Sequence, residues 1–95
     1  MIHPVPKHHI MRSKKYLEFI REHPCLICGN PNTVPHHESL GKNAMGSKPP
    51  DSHAVPLCND CHQRRHNSGV TTFWGGYDVK MHIIELLTEY LRGKI

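Results

Sequence analysis

The apolar positions of this chain come in short groups separated by turn residues. Over Ser13–His23 (SKKYLEFIREH), Tyr16, Leu17, Phe19 and Ile20 fall on one broad face at helical spacing. That spacing predicts a short helix over 13–23, with Ser13 as its N-cap and Pro24 as its end. From 25 to 57 the helical period is lost and turn residues dominate, beginning with Gly29-Asn30-Pro31-Asn32. Two short strands fit Thr33–His37 and His53–Leu57, paired as a hairpin across the loop Gly41–Pro50, whose Gly, Lys and Pro have little to bury. Residues 59–68 read as a helix that starts at Asn59 or Asp60 and stops at Gly69. The clearest helix is 78–92: Asp78 caps it, Val79, Ile83, Leu86, Leu87, Tyr90 and Leu91 form its apolar stripe, and Gly93 closes it. Pro4 and Pro6 make residues 1–12 an irregular arm.

The predicted fold class is therefore small α+β, a two-stranded antiparallel hairpin packed against helices. The 95 residues make one domain: the arm 1–12, a helix over 13–23, a core over 25–68 and a C-terminal helix over 78–92. Only 37% of the residues are apolar and 6% aromatic. A chain of this size buries roughly 60–65% of its unfolded surface, so such a core calls for an additional staple. No apolar run approaches the length of a membrane span, and the N-terminal residues contain no apolar signal region, so a cytoplasmic protein is expected. Twelve Lys and Arg against eight Asp and Glu give a net charge of +4, which mildly favours a polyanionic partner.

The staple is legible in the cysteines. Cys25-Leu26-Ile27-Cys28 and Cys58-Asn59-Asp60-Cys61 are two Cys-x2-Cys knuckles. In a reducing compartment disulfides are rare, so this pattern predicts a four-cysteine zinc site. Four thiolates fill a tetrahedral shell and leave no open position, which makes the zinc structural. The 29 residues from Gly29 through Leu57 exceed a bare zinc ribbon, so something is inserted between the knuckles.

The ten histidines suggest what the insertion does. His62 and His66 lie four apart on the predicted helix 59–68, so both imidazoles project from one face as a metal clamp. His36 from the first strand would complete a three-imidazole site with an open position, the catalytic type of metal site. His37 then lies on the other side of the strand, free to act as a base. Glu38 reads as a solvated loop carboxylate in preference to a partner of a ligand histidine, and Phe73-Trp74 as packing under the helix of His62 and His66.

Taken together, Cys-x2-Cys, His36-His37 and HAVPLC-x2-CH-x3-H resemble the HNH, or ββα-metal, nucleases from Pro24 to about His66. The stretch KPPDSHAVPLCNDCHQRRH and the following Phe-Trp also resemble small phage and prophage HNH proteins of the recombination-enhancement group. The resemblance implies two strands and a helix that hold one divalent ion (Mg2+, Mn2+, Ni2+ or Zn2+) against a scissile DNA phosphate. It implies His36, His62 and His66 as ligands, with His62 the chief helix ligand, and His37 as general base. It implies hydrolysis of a DNA strand to 5′-phosphate and 3′-hydroxyl ends, and a recombinase or other phage protein as a further partner. Five residues before Cys58 the family usually carries Asn, which orients the catalytic His; here it is His53, which would brace the loop through a ring nitrogen or reach the metal.

Basic residues outside the motif give such a protein its phosphate contacts. Lys14 and Lys15 lie on the first helix with Arg21, Arg64 and Arg65 stand beside the helix ligands, Lys7 and Arg12 lie in the arm, and Lys42 and Lys48 in the loop. The alternative reading is a non-catalytic zinc-ribbon module that binds nucleic acid. Both readings need the four-cysteine zinc, but only the nuclease needs the histidines to converge.

Overall fold

The computed structural model describes residues 11–39 and 49–93. The arm residues Lys7, His8 and His9 and the loop lysines Lys42 and Lys48 lie outside them. The order of elements is α1 (Lys14–Arg21), β1 (Val34–His37), a 3-10 turn (Asp51–His53), β2 (Ala54–Leu57), α2 (Asn59–Asn67), α3 (Val70–Trp74) and α4 (Val79–Arg92). This is a small α+β fold in which one antiparallel hairpin packs against helices. No helix among the described residues is long and apolar enough to cross a membrane.

Each helix starts where its cap allows. Ser13 is extended and its hydroxyl accepts the Tyr16 N–H, and the Asp78 carboxylate does the same for Met81. At α2 the cap is a cysteine: the Cys58 sulfur accepts the Cys61 N–H at 3.4 Å. The predicted helices 13–23, 59–68 and 78–92 and both strands are present, the first helix shorter by three residues and each of the others by one. Two expectations are corrected. Ser68, not Gly69, caps α2, and the chain then turns directly into α3, which the sequence pattern did not predict. Leu91 is 59% exposed rather than part of the core. At 100° per residue it sits roughly 80° around α4 from the buried Ile83, on the flank of the stripe.

The hairpin register explains how a ladder tolerates a proline in each strand. Val34 pairs with Leu57, Pro35 with Pro56, His36 with Val55 and His37 with Ala54. Opposed pairs in an antiparallel ladder alternate between hydrogen-bonded and non-hydrogen-bonded. The Glu38 N–H donates to the His53 carbonyl at 3.1 Å, so the even-numbered residues of this strand are the bonded ones. The two prolines therefore face each other where no N–H is required. The Pro56 carbonyl points away from β1 and accepts the Leu26 N–H at 3.1 Å, which ties the first cysteine knuckle to β2.

All four residues of β2 are buried. Tyr16 and Ile20 of α1, Val55 and Leu57 of β2, and Ile83 and Leu86 of α4 form the centre of the core. The Tyr16 ring meets Tyr90 edge-on with centroids 4.9 Å apart, and burial, followed by the Tyr90 charge, pushes its phenol up to about 12. The core is small, and the cysteines Cys25, Cys58 and Cys61 are part of it.

Candidate metal centres

The four cysteines meet as their spacing predicts. Their sulfur atoms lie within 4.8 Å of one another, with Cys28 Sγ 3.5 Å from Cys58 Sγ. The first knuckle closes through Gly29, whose φ of +78° suits a residue without a Cβ, and whose N–H donates to the Cys25 carbonyl at 2.9 Å. Burial raises the Cys25 thiol, but backbone groups of Cys28, Cys58 and Ile27 and the Cys61 thiol outweigh it and bring Cys25 down to about 6. Burial pushes Cys61 up to about 12 against the Arg64 guanidinium, which donates to its sulfur at 3.1 Å. A cation reverses that balance, because a coordinating thiol is deprotonated outright. The donor set can hold a structural metal such as zinc.

A second group lies one turn further along α2. His36, His62 and His66 each offer a nitrogen within 4.8 Å of the others. Ring centroids are 5.1 Å apart for His36 and His62 and 4.5 Å for His62 and His66, whose Nε2 atoms are 3.0 Å apart. Burial first, then the neighbouring His36 and His66, lower the His62 pKa. A neutral imidazole is the form that ligates a metal. His36 is buried while His66 is exposed, so the group is open on one side.

Strand periodicity places Glu38 on the same face as His36, two residues on. It is not a solvated loop carboxylate: it is 1% exposed and accepts from four donor groups. These are His36 Nε2 at 2.8 Å, Arg65 Nε at 3.1 Å, Arg65 Nη2 at 2.6 Å and Trp74 Nε1 at 2.9 Å. Burial raises its pKa, but the hydrogen bonds from His36, Arg65 and Trp74 prevail and hold it at about 2. With Nε2 committed to Glu38, Nδ1 is the His36 nitrogen left for a metal. A carboxylate in this position fixes the ring and its tautomer. Trp74 therefore does more than pack: α3 delivers its indole N–H to the same carboxylate.

Glu38→Gln should expose this role. The folded pKa of Glu38 is depressed, so its stabilisation is present above about 4.5 and is lost as pH falls from there toward about 2. At neutral pH the variant loses about 3 kcal/mol of stability, because the largely buried Arg65 charge loses its carboxylate counter-ion and keeps only neutral acceptors such as the Ser68 carbonyl. A divalent ion offered to the three histidines is expected to bind about 10- to 100-fold more weakly than in the wild type. Thermal melts and a metal titration followed by the fluorescence of Trp74 measure both effects. Wild-type stability and affinity would contradict this role for Glu38.

His37 lies on the opposite side of β1 from His36. Its Nε2 is 2.8 Å from Asp51 Oδ1, and Asp51 also accepts the Ser13 N–H at 2.8 Å. Burial raises the Asp51 pKa, but His37, the Ser13 N–H and Arg12 bring it below the ordinary value. His53 does not make the bracing contact expected of its ring. Its Nδ1 is buried without a hydrogen-bond partner among the described residues, and its backbone carbonyl accepts from the Glu38 N–H just past the end of β1. It stands in the 3-10 turn before β2, and the His36, His62 and His66 group does not include it.

The basic residues divide. Lys14 and Lys15 are exposed on α1. Arg64 is spent in part on Cys61, and Arg65 is turned inward onto Glu38 and the Ser68 carbonyl, so Arg65 is not a surface phosphate contact. Sequence reading missed Asp51 and undervalued Glu38. The two-residue strand period relates Glu38 to His36, whereas Asp51 is 14 residues from His37 and has no local signal.

Residues 2–88 match the family described as "Protein of unknown function (DUF968)". YdfU of Escherichia coli (strain K12), described as an uncharacterized protein, is 32% identical over 81 residues, which is 84% of this chain and 23% of that protein. The chain thus spans less than a quarter of that relative's length. No solved structure matches.

Proposed function

This chain belongs to the DUF968 family, and we propose that it is a metal-dependent endonuclease of the HNH type that nicks DNA and leaves 5′-phosphate and 3′-hydroxyl ends. One observation carries this reading. Three imidazoles from β1 and α2 group on one side of the hairpin, while a fourth, His37, stands on the other face of the same strand. Zinc at the four cysteines, together with the small core, holds the start of α2 and with it His62 and His66.

The donor set fits a divalent ion. His36, His62 and His66 would hold it, and their nitrogen softness favours Zn, Ni or Mn, with Mg workable if phosphate and water complete the shell. When bound, the ion supplies Lewis-acid stabilisation of the charge that builds on the phosphate and the leaving oxygen. His37 Nδ1 takes a proton from a water molecule, and that water's oxygen forms a bond to phosphorus. The bond from phosphorus to the 3′ oxygen breaks, and that oxygen takes a proton from solvent. Glu38 holds His36 in place throughout. Exposed Lys14 and Lys15 provide phosphate contacts that position a strand without reading its sequence.

The test is whether scission follows a second ion. The protein is expected to carry two metals per chain, one of which mild chelation removes together with plasmid nicking; adding Mn2+ or Ni2+ then restores cutting. One metal per chain and no cutting with any ion would identify a zinc-ribbon module instead.

A further inference from the structure

The nuclease reading leaves open how His37 keeps the correct nitrogen toward water, because His53 occupies the orienting position and its Nδ1 has no hydrogen-bond partner among the described residues. We infer that Asp51 has taken over this task and is the positioning residue for His37, an inference that rests on the proposed endonuclease activity.

The geometry is specific. A carboxylate only accepts, so the 2.8 Å contact requires the proton of the neutral imidazole to sit on Nε2. The lone pair is then on Nδ1. Asp51 is itself held on every side: it is 4% exposed, its N–H donates to the Met11 carbonyl at 2.9 Å, and its Oδ2 accepts the Ser13 N–H at 2.8 Å. The Arg12 guanidinium stands 3.8 Å from Oδ1. The turn that carries Asp51 leads directly into β2, whose Ala54 pairs with His37. Orientation is thus set by a carboxylate two residues before His53, and it ties the base to the start of α1.

Asp51→Asn tests this, since the substitution keeps the size and one acceptor. If the amide oxygen stays with Ser13, the amide NH2 faces His37 and favours the tautomer with its proton on Nδ1, which withdraws the base from water. The expected result is a fall in kcat for nicking of ten-fold or more, with KM changed less than two-fold. Long-range proton–nitrogen NMR of the neutral His37 ring should move from the Nε2-protonated form toward the Nδ1-protonated form. Ser13→Ala serves as the structural control. It weakens the cap of α1 but keeps the Ser13 N–H, so the melting temperature drops while the ring tautomer and kcat hold.

If Asp51→Asn retains wild-type kcat and tautomer while wild-type nicking still depends on His37, Asp51 is not the positioning residue and the nuclease reading stands. Asp51 loses the role equally if Asp51→Asn costs only thermal stability, as Ser13→Ala does. If the wild-type protein does not nick, or nicks independently of His37, both readings fall together.

Discussion

Cys58→Ala is expected to leave the chain without a cooperative fold. Cys58 caps α2, faces the sulfur of Cys28 and is 3% exposed within the core. Structural zinc in comparable small sites supplies about 10–16 kcal/mol at neutral pH. That is as large as the whole stability of an ordinary domain, roughly 5–15 kcal/mol. The apolar core around Tyr16, Val55 and Leu57 is too small to replace it. The loss therefore spreads from α2 to the first knuckle, and through the Leu26–Pro56 hydrogen bond to the hairpin. Far-UV circular dichroism should show lost helix and no sharp thermal transition, and strong chelation of the wild type should give the same spectrum. A variant that melts like the wild type would show that the cysteines pack without a structural metal.

His37→Ala is expected to abolish nicking with little effect on the fold. The side chain is 15% exposed and belongs to no apolar cluster, and the three-histidine group lies across the strand from it. The variant's metal content should equal that of the wild type. General-base catalysis contributes about 10²–10⁴-fold, so the residual rate should fall by that factor. Asp51 loses a hydrogen-bond donor in the variant but keeps the Ser13 N–H, so the melting temperature should drop only modestly.

The fold was largely legible because its signals are local. The stripe on α4, the cap residues Ser13 and Asp78, and the spacing of the cysteines each act within a few residues. The same holds for His62 and His66, whose four-residue separation on a helix brings them together without help from the rest of the chain. His36 joins them because the hairpin returns β2 to β1 and α2 follows directly. What was not legible depends on distant partners. Glu38 looks like a loop carboxylate until Arg65 and Trp74 arrive from α2 and α3. Asp51 acquires its role only when the turn before β2 meets both His37 and the start of α1. Arg65 shows the converse: a basic residue beside clustered histidines suggests a phosphate contact, yet a buried carboxylate claims it. The short α3 carries a signal too brief to separate from a turn, and its value lies in one indole N–H.

Whether this histidine arrangement cuts DNA is decided by incubating supercoiled plasmid with wild type and His37→Ala side by side. Mg2+, Mn2+, Ni2+ and Zn2+ are supplied separately, and the metal content of both proteins is measured. Open-circular product is expected from the wild type with at least one ion, and it should disappear in the variant at unchanged metal content. Equal nicking by both proteins, or no nicking by the wild type with any ion, would contradict the endonuclease mechanism.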